Sequence, residues 1–372
     1  MRVLHVSEAL GGGVTSAVTA MVEATPEIDH HLFARPREQH DVGIDTARHF
    51  ASVHPMSGNP LVAVAELRAL VRETFPDVVH AHSSVAGVVV RMAGLDRPGV
   101  VYSPHCFAFE RRDVSGLARR AFRTVERALA SRTDLFLAVA PYEMDLAADL
   151  GHQSLAYVPN RATLVPSVRA EFRTPLRIVT VGRVAAQKDW RYMVHLKRFV
   201  DDQIGLDATW EWLGDGDPEG ERELDDIGID VSGWIDRSEV LDRLAGAQIY
   251  VHTAAWEAAP ISILEAATLG LPLAIRSEPA LDSLALPGLS RGVAALAARL
   301  EALADEPAWS AARDASLALA GRHSAEAQNQ HLLRAYDRAL GGAPAVSLVT
   351  AGRSAGIGLI DGGALRRAGS DG

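Results

Sequence analysis

Two α/β domains, each a parallel sheet covered by helices, are predicted by three features of the sequence. Short apolar runs alternate with helical stretches twice over, once in each half of the chain. A stretch with several prolines and no periodicity, from Pro159-Asn160 to Pro175, separates the two series. At 372 residues the chain is also too long for one core of ordinary size. The expected division is an N-terminal domain over 1–160, a C-terminal domain over 161–323, a helix over 324–340 returning towards the first domain, and a poorly ordered tail over 341–372 rich in Gly, Ala and Ser.

The first unit runs from the strand Arg2-Val3-Leu4-His5-Val6 through Gly11-Gly12-Gly13 to a helix from Val14 to Glu23. Strand, glycine turn and helix open a nucleotide-binding type of unit. The spacing is not G-x-G-x-x-G, and no acidic residue sits at the ribose position of a clear second strand, so a dinucleotide site is weakly supported. The glycines either bring backbone close to a ligand or simply make a tight turn. Further strands are expected at 77–81, 99–102 and 135–139, with helices over 60–74, 84–93 and 116–130 between them. His80, His82 and His105 fall near strand ends, where such sheets bind ligands. No helical H-x-x-x-H spacing accompanies them, so His105, next to Pro104, is read as a site candidate and no metal is assigned.

Along 116–132, Leu117, Ala121, Val125 and Leu129 form one stripe, and Arg119, Arg123 and Arg127 another. Such a helix either rests on an anionic membrane surface or packs a solvated arginine face on its own sheet.

The second series starts with the strand 176–181 and the turn at Gly182, followed by a helix over 188–202 and a strand over 208–213. Arg183 and Lys188 put two cations at a C-terminal strand end, where they could neutralise a diphosphate. Asp215-Gly216-Asp217 has the spacing of a metal-diphosphate site, but it follows Gly214 and precedes Pro218, which favours a turn and helix start. After the strand at 249–252, Glu257 lies on a loop and Glu265 about one turn into a helix ending at Gly270. Carboxylates on either side of a helix N-terminus suit a hydroxyl-rich anion. The other readings are that Ser262-x-x-Glu265 is a capping box and Glu257 a solvated acid.

Composition limits the classes. With 48% hydrophobic and 23% charged residues the chain is a globular protein, and a net charge of −10 argues against nucleic acid as partner. The single cysteine, Cys106, suits a reducing cytosol. The first apolar run is broken by His5 and Glu8, so no secretory signal is read, and no apolar stretch reaches about 18 residues. A cytoplasmic protein is expected, peripheral on the inner membrane face if the arginine helix binds lipid.

Taken in order, EALGGGV at 8–14, DVVHAHSSVAG at 77–87, YSPHCFAF at 102–109, VPN at 158–160, VGRVAAQK at 181–188, LGDGD at 213–217, VSGW at 231–234 and EAAPISILEAATLGLP at 257–272 resemble the GT-B glycosyltransferases of the large retaining family 4. The resemblance reaches about Leu340. It implies two Rossmann-like domains facing a central cleft, the first on the acceptor side and the second binding a nucleotide sugar. It also implies that Arg183 and Lys188 hold the donor diphosphate, Glu265 the ribose and Glu257 the donor sugar, aided by backbone N–H groups over Ala258, Ala259, Pro260 and Ile261. Gly233 and Trp234 would border the base, His105 would approach the sugar, and Gly12 and Gly13 would lie near phosphates and acceptor. No metal or other cofactor is implied, and no protein nucleophile. Two departures stand out: Ala258-Ala259-Pro260 replaces a common Gly-Phe-Gly, and Cys106 replaces a common glycine.

The function expected is transfer of a sugar from a nucleoside diphosphate to a glycan or lipid-linked acceptor in cell-surface polysaccharide or glycolipid synthesis. A nucleotide-sugar epimerase on the same architecture and a non-catalytic nucleotide-sugar-binding protein are the alternatives.

Overall fold

The computed structural model describes residues 1–36, 47–164 and 169–341 of the chain. The tail read from the sequence lies outside the described residues from 342 on, as does 165–168 of the proline-rich break. Each half carries one sheet with every pairing parallel. The first contains β1 (Arg2–Leu10), β2 (Asp29–Pro36), β3 (Ser52–Pro55), β4 (Val78–His82), β5 (Gly99–Ser103), β6 (Leu135–Ala138) and β7 (Leu155–Tyr157) in the order β3-β2-β1-β4-β5-β6-β7. The second contains β8 (Leu176–Val181), β9 (Ala208–Leu213), β10 (Ile229–Val231), β11 (Ile249–His252), β12 (Leu273–Arg276) and β13 (Leu289–Ser290) in the order β10-β9-β8-β11-β12-β13. Helices cover both faces, so the central strands β4, β6 and β11 are buried along their whole length.

Apolar periodicity located the central strands and the helices Pro60–Thr74 and Ser84–Ala93. It missed β2, β3, β7, β10 and β13 and the helices Pro141–Leu150 and Pro279–Ser283, while the helix Pro218–Asp225 starts where the Asp-Gly-Asp turn was read. The strand β2 begins Asp29-His30-His31, a polar start that hides its strand character. Register explains how the histidines are accommodated. Val3 pairs with His30 and with Val78, His5 with His80, and His82 with Ser103. Because side chains alternate, His30, His5, His80 and His82 all project from the same face of the sheet.

The helix Ala325–Ala339 follows the second sheet yet packs on the first domain, with Leu332, Ala335 and Tyr336 joining Val3, Val78, Val101 and Leu137 in one core. Polar contacts fix it there: Asn329 donates to the Ala24 carbonyl at 2.7 Å and Arg338 to that of Leu155 at 2.9 Å. Arg161, 8% exposed, ties the crossing to both sides, reaching Glu23 at 3.0 Å and Gln328 at 3.1 Å.

Candidate active site

A cleft of about 470 Å³ opens between the C-terminal strand ends of the two sheets. The first domain supplies Gly12, Gly13, His105 and Asn160; the second supplies Gly182, Arg183, Lys188, Arg237, the loop Glu257–Ile261 and Glu265. The structure thus gathers into one place eleven of the thirteen residues singled out in the sequence. Gly233 and Trp234 do not line the cleft; Trp234 is 59% exposed on the neighbouring loop.

Arg183 and Lys188 follow β8 across a sharp turn. Gly182 sits at φ 145°, and a Cβ there would lie 2.7 Å from Cε of Lys188. Glycine lets the lysine stem cross over the backbone, and its Nζ ends 2.6 Å from Glu257 Oε1. The two side chains are only 19% and 10% exposed. Glu257 is therefore a half of an ion pair and no solvated loop acid. His252 Nε2 lies 3.7 Å from the same oxygen, and burial holds its imidazole well below the usual range, so it adds no charge. Arg183 is exposed and makes no ion pair among the described residues.

The helix Ile261–Leu269 starts at Pro260 with no side-chain cap. The capping box is not formed, because Ser262 lies inside the helix and its hydroxyl accepts from Tyr250 at 2.8 Å. Glu265 is 3% exposed and pairs with Arg237, which the sequence reading did not single out. Only its place three residues beyond Trp234 could have pointed to it. The helix N-terminus keeps unpaired N–H groups and the positive end of its dipole at the cleft. Ala258 packs in the apolar cluster of Val139 and Val158 from the first domain, with Ala259 and Cys106 against it. Small apolar residues at 258–260 let this loop bridge the lobes.

Across the cleft, His105 and Cys106 both have left-handed backbones, with φ 51° and 92°. The turn is held from below: Glu143 accepts from the N–H of Cys106 at 2.8 Å and of Val139 at 3.0 Å. Burial raises the Glu143 carboxyl to about 7, and burial together with Glu143 and Glu257 pushes the Cys106 thiol up, which leaves it unreactive. Beneath His105, one ring nitrogen each of His5, His80 and His82 comes within 4.8 Å of the others, close enough to share an ion. All six ring nitrogens of this trio already have hydrogen-bond partners. Asp217 caps the helix Pro218–Asp225 by accepting from Glu219 at 3.0 Å, so the Asp-Gly-Asp stretch acts as turn and helix start.

Two family models match consecutive parts of the chain, the glycosyl transferase 4-like domain over residues 12–166 and the glycosyl transferases group 1 domain over 175–309. The chain is a GT-B glycosyltransferase of the family 4 type. A protein of Klebsiella pneumoniae described as an uncharacterized 41.2 kDa protein in the cps region is 24% identical over 312 residues, covering 78% of this glycosyltransferase and 85% of the relative. The UDP-Gal:alpha-D-GlcNAc-diphosphoundecaprenol alpha-1,3-galactosyltransferase of Escherichia coli is 24% identical over 242 residues, covering 56% and 60%. Among solved structures, Anabaena HepE in complex with UDP and glucose superposes with a TM-score of 0.72 at 16% identity, covering 90% and 98% of the two chains. WaaG, a glycosyltransferase involved in lipopolysaccharide biosynthesis, gives 0.67 at 16%, covering 92% and 100%. These two likenesses carry the fold.

The arginine helix of this glycosyltransferase, Gly116–Leu129, faces the opposite way from a simple amphipathic reading. Its buried residue is Glu126, which accepts from Arg91 and from Tyr102, each at 2.8 Å. Arg119 reaches the Phe109 carbonyl at 3.0 Å, and Arg123 lies over the Phe109 ring. Arg119 and Arg123 therefore lean on Phe109 while Arg127 stays exposed, and Leu117 at 78%, Val125 at 43% and Phe122 at 37% exposure point outward. Among the described residues no helix is long and apolar enough to cross a membrane.

Proposed function

We propose that this glycosyltransferase moves a sugar from a nucleoside diphosphate to a glycan or lipid-linked acceptor, with retention of configuration, at an anionic membrane surface during cell-surface polysaccharide or glycolipid assembly. The observation that carries the reading is the convergence of Arg183, Lys188, Glu257 and Glu265 with His105 and the glycine turn in one cleft. Arg183, Lys188 and the uncapped helix at Ile261 take the diphosphate and the charge it gains on leaving. That charge needs no divalent ion to neutralise it. Glu265 accepts from the ribose hydroxyls and Glu257 faces the sugar, each after yielding its present cation. His105 closes on the sugar from the other lobe. Acceptor attack on the face the diphosphate leaves gives retention, with the departing phosphate taking the acceptor proton, and no side chain forms a bond to the sugar.

The curated galactosyltransferase relative and the UDP-bound HepE support UDP as the first nucleotide to test. The outward Leu117, Phe122 and Val125, with the exposed Arg120 on the same helix, support a lipid surface as the place where the acceptor is met. The test is incubation with labelled UDP-galactose, UDP-glucose and GDP-mannose, with and without diphosphoundecaprenol-linked sugars in anionic vesicles. Labelled lipid with an unchanged anomeric configuration, formed in EDTA, is the expected result. Conversion of the free donor sugar without acceptor would establish an epimerase instead, and donor binding without turnover a binding protein.

A further inference from the structure

Three buried histidines and the half-buried His105 form one unbroken hydrogen-bonded row that ends at the cleft. His105 Nε2 lies 3.0 Å from His82 Nδ1, His82 Nε2 lies 2.9 Å from His5 Nδ1, and His5 Nε2 lies 2.9 Å from His30 Nδ1. The far end, His30 Nε2, meets Thr25 alone: the carbonyl at 3.1 Å and Oγ1 at 3.0 Å. The Thr25 hydroxyl gives its hydrogen to the Met21 carbonyl at 2.8 Å, so both groups facing His30 Nε2 are acceptors. His30 Nε2 must therefore carry the proton.

The rest follows link by link. Burial lowers all four imidazoles, His30 and His105 to about 4 and His5 and His82 well below the usual value, so each is neutral and holds a single proton. With its proton on Nε2, His30 accepts at Nδ1, so His5 donates from Nε2. His5 then accepts at Nδ1 and His82 donates from Nε2; His82 accepts at Nδ1 and His105 donates from Nε2. His105 is left with a bare Nδ1, which makes no hydrogen bond within the protein among the described residues, on a residue lining the cleft. The row ends on a carbonyl, so it fixes a polarity and does not conduct protons.

We infer that His82, His5 and His30 are positioning residues that hold His105 in its Nε2–H form, so that His105 Nδ1 accepts a hydrogen bond from a hydroxyl of the donor sugar. The inference rests on the donor-site reading above. Its consequence is selectivity: a sugar with no hydroxyl at that point loses the contact, and a His105 of the opposite tautomer reverses it, so that the hydroxyl must turn to accept from Nδ1–H.

The test uses the full chain. Long-range proton–nitrogen NMR of the imidazoles in the free protein should show all four rings neutral with the proton on Nε2; a proton on Nδ1 of His105 overturns the inference whatever the enzyme does. His30→Phe keeps the volume but removes the acceptor for His5, so the row should reverse and His105 should move to the Nδ1–H form. His30→Asn, whose Oδ1 takes the place of Nδ1, should keep the wild-type tautomers. The KM for UDP-galactose or UDP-glucose, whichever is turned over, should rise on the order of three- to tenfold in His30→Phe and recover in His30→Asn, with the Kd of UDP the same in all three. A reversed tautomer with an unchanged KM overturns the sugar contact while leaving UDP binding intact. Failure of the wild-type chain to bind UDP removes the donor-site reading itself, and the sugar contact with it. If His30→Phe does not fold, the wild-type and His30→Asn spectra still decide the tautomer.

Discussion

Glu257→Gln should bind UDP more tightly than the wild type and transfer no sugar. The cation proposed for the diphosphate is held by Glu257 in the structure, with Nζ of Lys188 2.6 Å from Oε1. At an effective dielectric of about 20 the attraction at that distance is about 6 kcal/mol, an upper bound. Desolvation of two groups only 19% and 10% exposed offsets most of it. A remainder of about 1–1.5 kcal/mol is what an incoming diphosphate must compete against, and the neutral amide removes it. The expected gain in UDP affinity is therefore about five- to tenfold. Calorimetry on wild type, Glu257→Gln, Lys188→Met and the double variant measures it: Lys188→Met should weaken UDP, and the double variant should resemble Lys188→Met. An unchanged or weakened affinity in Glu257→Gln would refute the competition and, with it, the diphosphate role of Lys188.

Arg237→Met should lower the thermal midpoint, because it leaves the buried Glu265 carboxylate without its partner; the loss, discounted for a half-exposed arginine, is about 1–2 kcal/mol, and saturating UDP should restore part of it. Gly182→Ala puts a Cβ into the lysine stem at a positive φ, and should raise the Kd of UDP at least tenfold while also lowering the midpoint. Acid should unfold the protein early. His30, His105 and His152 are lowered to about 4, and His5, His80, His82 and His252 well below the usual value, all chiefly by burial. A lowered histidine is protonated first in the unfolded chain, so its stabilisation is complete above about 6.5 and is lost as pH falls towards 4. Glu143 and Glu278, raised to about 7, act in the opposite sense but are two against these seven and His323, which burial also lowers. Denaturant titrations should show a loss of several kcal/mol between about pH 6.5 and 5.5; a flat profile there would refute the neutral histidines. Leu117→Glu with Val125→Glu should abolish flotation with anionic vesicles while leaving the midpoint and UDP affinity unchanged, since neither side chain is buried.

The residues with chemistry were more legible than the contacts that restrain them. Glycine turns and strand ends are local, so Gly12, Gly182, Arg183 and Lys188 could be placed from neighbouring sequence alone. Pairings across the chain could not: Lys188 with Glu257 and Arg237 with Glu265 join elements 69 and 28 residues apart. The orientation of the arginine helix was hidden for the same reason. Its periodicity showed two stripes, but which one faces the protein is decided by Glu126, whose partners Arg91 and Tyr102 lie on other elements. β2 escaped notice because it opens on Asp29-His30-His31, and His30 fits the interior only through its bond to His5 of β1.

The chain passes between the lobes at Asn160 and again at His323, and the two passages touch, with His323 Nδ1 2.6 Å from the Asn160 carbonyl. Paired threads at one spot permit swinging about that spot and resist sliding. Asn160 also holds the Ala259 carbonyl through its amide at 2.8 Å. The pivot is thereby wired to the Glu257–Ile261 loop of the cleft, so whatever settles on that loop also sets the angle between the halves.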